Sequence, residues 1–388
     1  MKTVTVTKRG ADRIRGGHLW IYRSDVVSAD DDAGGSVVFV RDQNRNFVGQ
    51  AFFSDSSQIA LRFLSETEET IDAAWWRRRL LDAAARREFA NNSATNAYRL
   101  VNSEGDLLPS IIIDRYDDVF VLQTLSQGSE NVKSLLAEVL VEEFKPRAVV
   151  ERNDVRVRQY EGLELTKGTL YGEVPDEFEI RQEGIRFLVA PLSGQKTGSF
   201  LDQRENRAAA RRVARGRALD CFTFNGAFAL NLAGACENVI GIDISGEALE
   251  LGRRNADLNG INNVDFREGN VFDVLRELEA ADERFDTIVL DPPAFAKNRA
   301  SVKPALRGYK EINLRAMKLL NPNGILISCT CSYHMSEEMF LSVIADAAID
   351  SHRQVQLIEK RTQGSDHPIL FGVPETYYLK CVIARVLD

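Results

Sequence analysis

Several polar residues in the C-terminal half of this 388-residue chain close apolar runs, where side chains can meet a ligand. In open α/β sheets, ligands bind outside the carboxyl ends of the strands, near the reversal of strand order. Asp220 ends one run and leads into Cys221-Phe222-Thr223-Phe224-Asn225-Gly226. Gly226 opens a helix and lets backbone approach a ligand closely. A single glycine is not the GxGxxG dinucleotide pattern, and a tight strand-to-helix turn explains the segment equally well. Asp243 ends GIDI, where a carboxylate can accept both hydroxyls of a ribose. Capping the next helix is the alternative. Asn270, at the end of a third run, is placed for an adenine edge. Asp291-Pro292-Pro293-Ala294-Phe295 follows the run TIVL. Two prolines fix φ and remove two donors, which makes a rigid wall. A planar base can stack there and on Phe295, although a rigid loop alone would also account for the pattern.

The cysteines offer different chemistry. Cys221, Cys236, Cys329, Cys331 and Cys381 are too scattered for a disulfide framework and lack CxxC spacing, so no metal is expected. Free cysteine usually behaves as a small buried hydrophobe. Cys331 differs in position, because it closes GILISCTC at the carboxyl edge. Cys329 lies two residues earlier, towards the same face but deeper in the strand.

The elements that must hold these residues are regular from residue 181 to 388. RALDCF, NVIGIDI, NVDFREGNVF, FDTIVLDPP and GILISCTC read as strands. They alternate with helical segments such as SGEALELGRRNADLNG and KPALRGYKEINLRAMKLL. QVQLIEKR and TYYLKCVIARV close the series as a pair of strands. The pattern predicts a doubly wound parallel sheet with an antiparallel edge.

Two further segments precede it. Residues 1–72 read as a small β-rich domain, with TVTVT, SVVFV and FVGQAFF as strands and Gly16-Gly17 as a turn. Residues 73–180 read as a small α+β domain. It opens on a helix whose apolar face is taken as Ile71, Ala74, Trp75, Leu81, Ala84, Ala85 and Phe89, with its arginines on a solvated face.

Composition is that of a globular protein, with 44% hydrophobic and 27% charged residues. No apolar run of about 18 residues predicts a membrane helix. The N-terminal residues lack the apolar core of a signal peptide, and the thiols suit a reducing cytoplasm. The net charge of −8 argues against a generally basic surface. Residues 1–23 nevertheless carry Lys2, Lys8, Arg9, Arg13, Arg15 and Arg23 against Asp12 alone. Such a cluster can contact phosphates, or be a solvated strand and loop.

Taken together, Asp220, Gly226, Asp243 and Asp291 resemble the motifs of class I methyltransferases, which use S-adenosylmethionine. The resemblance extends along the chain through GGHLWIYRSDV, YRLVNSEGDLLPSIIIDRY, ERNDVRVRQYEGLE, GQKTGSFLDQRENR, LDCFTFNGAFAL, LDPPAF, RGYKEIN, SCTCS and SDHPILFGVPETYYLK. On these segments the chain resembles bacterial large-subunit ribosomal RNA cytosine-C5 methyltransferases. These combine a PUA domain, a central domain and a Rossmann-like class I methyltransferase domain. The resemblance implies that residues 1–72 bind RNA, which gives the basic cluster a partner. It implies that Lys196, Asp202 and Arg204 lie near the cofactor, with Arg204 placed to hold its carboxylate. Phe222, Asn270 and Asp291 join Asp220, Gly226 and Asp243 as expected cofactor residues. Two positions depart from the pattern: Ser199-Phe200 in the GQKTG stretch, and Asn270 where an acid is common.

The implied reaction gives Cys331 its role. C5 of cytosine is too weak a nucleophile to take a sulfonium methyl directly. A thiolate adding at C6 makes C5 carbanion-like, so the chemistry requires a positioned cysteine. It also requires an acid near the base to protonate N3 and an exit for the C5 proton, and Asp291 is the candidate for hydrogen bonding to the flipped base. The base must be extruded from paired RNA first. His334 reads as a loop residue. A base-nitrogen methyltransferase, which needs no cysteine, is one alternative. A non-catalytic ribosome assembly factor is another, opposed by the complete set of strand-end acids. A small-molecule methyltransferase leaves the basic segment without a task. A homodimer stays open.

Overall fold

A computed structural model describes all 388 residues except Gln195, Lys196 and Lys297, together with Arg299 up to its side chain. The chain forms two compact units. One comprises residues 1–181, 189–202 and 365–376, and the other residues 182–188, 203–364 and 377–388.

The first unit contains a six-stranded sheet in the order Trp20–Tyr22, Ile59–Ser65, Phe47–Phe53, Val37–Asp42, Thr3–Val6, Val26–Ala29. Val4, Val6, Val38, Val40, Leu61 and Phe63 face its core, as period-two alternation requires. A helix that the sequence reading missed, Lys8–Arg15, is capped by the Thr7 hydroxyl and ends at the Gly16-Gly17 turn. It buries only Gly10, Ala11 and Ile14, too few residues for an apolar stripe to be visible.

A five-stranded sheet follows in the order Thr166–Gly172, Ala148–Asn153, Val119–Thr124, Ile111–Tyr116, Ala97–Asn102. Its helix Ala73–Ala85 buries Trp75, Trp76, Leu80 and Ala83. The expected face is therefore corrected. Leu81 and Phe89 are exposed, and Phe89 lies beyond the helix in a 3₁₀ turn. The adjacent tryptophans are both buried, edge to face at 4.8 Å, which rotates the apolar stripe. Arg87 also departs from the solvated reading. It is buried and grips Asp106 with two bonds of 2.6 and 2.5 Å.

The second unit is the predicted doubly wound sheet. Its strands are β1 (Arg217–Cys221), β2 (Asn238–Asp243), β3 (Val264–Glu268), β4 (Phe285–Leu290), β5 (Leu320–Thr330), β6 (Val355–Arg361) and β7 (Lys380–Val386). They lie in the order β3-β2-β1-β4-β5-β7-β6. The first five pair in parallel, whereas β7 runs antiparallel to both β5 and β6. The helices are α1 (Arg204–Val213), α2 (Ala227–Ala233), α3 (Gly246–Asn259), α4 (Val271–Ala280), α5 (Val302–Leu319) and α6 (Glu337–Asp350). Leu275, Tyr309, Ile312, Met317, Phe340 and Ile344 from α4–α6 share a core with β1, β2, β4, β5 and β7. Strand order reverses between β1 and β4, where the sheet opens for a ligand.

One ring fixes the loops at that opening. Phe266 of β3 lies against Gly226, Gly241 and Gly252, where added Cβ atoms would meet it at 2.6, 2.9 and 3.1 Å. Gly226 also has φ +81°. Gly226→Ala must therefore strain the backbone and displace the ring, at a cost of about 1–3 kcal/mol. Urea unfolding is expected to show that loss. An unchanged midpoint would contradict the packing described.

Candidate active site

The loop between β1 and α2 is built on an acid. Asp220 is fully buried, and its Oδ2 accepts the Thr223 hydroxyl at 2.5 Å and the Ala229 N–H at 2.9 Å. Its Oδ1 has no hydrogen-bond partner among the described residues. Burial lifts the carboxyl to about 7, opposed by these two bonds and assisted by the charges of Asp291 and Asp243. An orphaned acceptor of this kind fits a cationic donor such as the ammonium of S-adenosylmethionine. Phe222, Phe224 and Gly226 have φ of 65°, 51° and 81°. Left-handed phenylalanines are rare and store strain that the surrounding loop must hold.

Asp243 ends β2 and braces the same loop. Its Oδ2 accepts the Phe224 N–H at 2.9 Å, and its Oδ1 accepts the Ser245 N–H at 3.0 Å. Each carboxylate oxygen retains a lone pair, so the acid can tie down the loop and still receive a ribose diol. Ile244, next to it, is 71% exposed and offers an apolar surface. The sequence reading did not single it out. Its signal was an apolar residue immediately after a strand-end acid. Asn270 is exposed and caps α4 by accepting the Phe272 N–H at 2.9 Å.

Asp291 follows β4 and accepts a 2.8 Å bond from the Gln203 amide. That amide is oriented by Asn206, whose Nδ2 donates to Gln203 Oε1 at 2.6 Å. Arg361 of β6 in turn donates to Asn206 Oδ1 at 2.9 Å. The relay explains why Gln203 and Asn206 are buried although they open a helix. Pro292 is buried and Pro293 exposed. Phe295 belongs to an aromatic cluster, with ring centroids 4.8 Å from Tyr309, 6.0 Å from Phe272 and 6.3 Å from Phe222.

Strand register brings the thiol to the same edge. Leu290 pairs with Ser328, so Asp291 stands level with Cys329 and Cys331 lies two residues beyond. Cys221, Cys236, Cys329 and Cys381 are buried, whereas Cys331 is half-exposed. Burial pushes the Cys221 thiol well up and that of Cys236 to about 11. Cys329 is raised by its hydrogen bond with Cys381, its partner on β7, and then by burial. Only Cys331 combines position with access.

Tyr309 was also missed from sequence. The buried Tyr309 hydroxyl lies 2.7 Å from Thr330 Oγ1 and 3.1 Å from Ser332 Oγ, so it holds both neighbours of Cys331. Ser332 Oγ also accepts the Ala296 N–H at 3.2 Å, fastening this turn to the one that follows Asp291.

Arg204, at the start of α1, is buried, with Nη2 3.4 Å from Glu205 and Nε 3.8 Å from Glu183. Asp202 is buried in the first unit. Lys196 lies outside the described residues. In the basic cluster, Arg9 pairs with Asp25 at 2.7 Å, and Arg15 with Asp12 and Asp42 at 3.1 and 3.2 Å. Lys8, Arg9 and Arg15 remain exposed.

Comparison with known proteins accords with this geometry. A methyltransferase domain family matches residues 213–369, and a PUA-like domain family matches residues 4–66. Ribosomal RNA large subunit methyltransferase I of Tolumonas auensis is 44% identical over 380 residues, covering 95% of this chain and 96% of that protein. A Streptococcus mutans structure described as a SAM-dependent methyltransferase superposes with a TM-score of 0.85 at 21% identity, over all of both chains. Another solved methyltransferase-like protein, complexed with SAH, gives 0.86 at 21% identity, again over all of both chains.

Asp220 has a consequence for stability. Its folded carboxyl titrates above the unfolded value of about 3.9, so folding favours its protonated form. The contribution is complete below about pH 4 and is lost as pH rises through 7. Asp220→Asn is expected to flatten the stability slope between those limits in urea titrations. An identical slope in the variant would contradict the assignment.

Proposed function

The chain belongs to the ribosomal RNA large subunit methyltransferase I family, and from that membership we propose that Cys331 carries methylation of cytosine C5 in large-subunit ribosomal RNA. S-adenosylmethionine supplies the methyl group as an electrophilic sulfonium substituent. The observation that carries the reading is the position of Cys331, the one half-buried thiol among five otherwise buried, at the carboxyl edge and two residues beyond the level of Asp291.

The protein's own groups divide the work. Asp243 offers its remaining lone pairs to a ribose, and Ile244 an apolar face to the adenine. Asp220 offers Oδ1 to the cofactor's cationic end, and Phe222 and Gly226 shape the loop between them. Asn270 lies near the adenine edge while capping α4. Arg204, buried at the start of α1, is assigned to the carboxylate.

The target cytosine is extruded from its stack into the site. Asp291, oriented by Gln203, hydrogen bonds the base and assists protonation at N3 as the Cys331 thiolate adds to C6. C5 then takes the methyl group with its electron pair as the methyl–sulfur bond breaks, that bond's electrons staying on the departing sulfur. Loss of the C5 proton to a base, expulsion of the thiolate and return of the N3 proton restore the aromatic ring. The Tyr309 clamp keeps the sulfur in place throughout, which lowers the orientational cost of attack.

Residues 1–72 are assigned to RNA capture through Lys8, Arg9 and Arg15, residues 73–180 to a central domain, and residues 181–388 to methyl transfer. No helix among the described residues is long and apolar enough to cross a membrane. The cytoplasm, where the RNA and reduced thiols meet, is the compartment this chemistry suits.

Cys331→Ala is expected to abolish tritium transfer from S-adenosylmethionine to ribosomal RNA, while calorimetry shows cofactor binding unchanged. Full activity in the variant would exclude the thiolate route. Arg204→Ala is expected to weaken cofactor binding about tenfold, equivalent to about 1.4 kcal/mol. Unchanged affinity would confine Arg204 to its contacts with Glu183 and Glu205.

A further inference from the structure

Ser365–Thr376 lies between β6 and β7 in sequence, yet it belongs to the first unit. It is firmly held there. Val373 is fully buried, and Leu370 packs against the same core as Val4, Val6 and Ile14. The Val373 N–H donates to the Leu370 carbonyl at 2.9 Å, and the Leu370 N–H to Thr376 Oγ1 at 2.9 Å. Asp366 accepts the Arg99 N–H at 2.9 Å with its carboxylate and Arg87 at 3.0 Å with its carbonyl. The turn between Leu370 and Val373 is therefore pinned on both sides, and it holds Phe371 fully exposed to water.

The turn abuts the end of the basic helix Lys8–Arg15. A Cβ added at Gly372 would meet the Gly17 carbonyl oxygen at 2.0 Å, so only bare backbones fit there. Gly17, at φ +87°, closes that helix by donating to the Ile14 carbonyl at 2.7 Å. The His18 N–H donates to the Arg13 carbonyl at 3.2 Å, which keeps Arg13 within one turn of the contact. From the other side, Glu375 meets His18 Nε2 at 3.3 Å. Phe371 and Arg13 are thus brought together by a rigid joint.

Arg13 is a cation with donors to spare. Its guanidinium carbon lies 4.6 Å from the centre of the Tyr22 ring. Its Nε has no hydrogen-bond partner, and no carboxylate lies within ion-pair distance of it, among the described residues. Asp25 and Glu375, the acids on which its charge acts, are engaged by Arg9 at 2.7 Å and His18 at 3.3 Å. A bare aromatic ring beside an unspent cation is the combination that holds single-stranded nucleic acid, the ring taking a base face and the cation a phosphate. A protein interface would set such a ring in an apolar surround. Neither Ser365–Thr376 nor the helix carries another exposed large hydrophobic residue.

We infer that Phe371 is a stacking platform for an unpaired base of the RNA substrate, with Arg13 on a neighbouring phosphate. The inference rests on the chain acting on ribosomal RNA, and it adds to residues 1–72 an RNA contact from far along the sequence.

The test is filter binding of transcribed large-subunit ribosomal RNA to the full-length protein over a series of salt concentrations. Phe371→Ala is expected to weaken binding about tenfold at every salt concentration, and Phe371→Trp to restore it. Arg13→Gln is expected to lower the slope of log Kd against log salt by about one, whereas Phe371→Ala leaves that slope unchanged. Wild-type affinity in Phe371→Ala, with its melting temperature retained, overturns the proposal. So does a loss that Phe371→Trp does not repair, or sedimentation showing a dimer that Phe371→Ala dissolves while RNA affinity is unmoved. Methylation through Cys331 with unmoved Phe371→Ala affinity would sink the platform and leave the reaction. A tenfold loss in Phe371→Ala, with no methylation of cytosine by the wild type, would sink the reaction and leave the platform.

Discussion

The Tyr309 hydroxyl carries hydrogen bonds to Thr330 and Ser332, the two residues that flank Cys331. A hydroxyl can serve both because it has one proton and two lone pairs. Ser332 passes the restraint on to Ala296, in the turn that begins at Asp291. The thiol is therefore suspended between two fixed points, and one of them is tied to the turn that begins at Asp291. Asp291 is held from its other side by Gln203, Asn206 and Arg361. Attack on a ring carbon tolerates little error in position, and such constellations depend on supporting hydrogen bonds. Here the support comes from α1, α5 and β6.

Charge distribution in the second unit follows a related logic. Asp220, Asp243 and Asp291 stand at the ends of three neighbouring strands. Asp220 is raised by burial and further by the other two charges. Such a concentration of acids suits a cationic ligand, which relieves both their repulsion and the orphaned Oδ1. The exposed cations Lys8, Arg9 and Arg15, proposed above to meet RNA phosphates, lie in the first unit, although the chain as a whole is acidic. On that proposal cofactor and RNA ask for opposite charge, and the chain answers them in different units.

The sheet was legible in sequence because each strand is an apolar run closed by a polar residue, as in TIVLD and IGID. The strand-end acids were legible for the same reason. Trp76 was missed because two adjacent tryptophans defeat a simple helical period. Lys8–Arg15 was missed because a short helix that buries three small contacts shows no stripe. Thr166–Gly172 was missed because its side chains are mostly exposed. The site's supports were hidden for a different reason. Tyr309, Ser332 and Gln203 find their partners 20 or more residues away, so no local spacing records them. Cys331 had its strand-end position in sequence, but its chemistry came from resemblance. The burial of the other four thiols adds an independent argument for it.

The central claim is covalent attack by Cys331 on C6, and a trapped adduct tests it most directly. A fluorine at C5 cannot leave as the proton does, so the sequence stops after methyl transfer with the sulfur still attached. Ribosomal RNA transcribed with 5-fluorocytidine, incubated with the protein and S-adenosylmethionine, would be digested and its peptides sequenced by mass spectrometry. The account predicts a methylated fluoro-nucleotide bonded to the Cys331 peptide. An adduct on Cys329, or a methyl group transferred to a base nitrogen with no protein adduct, would contradict it.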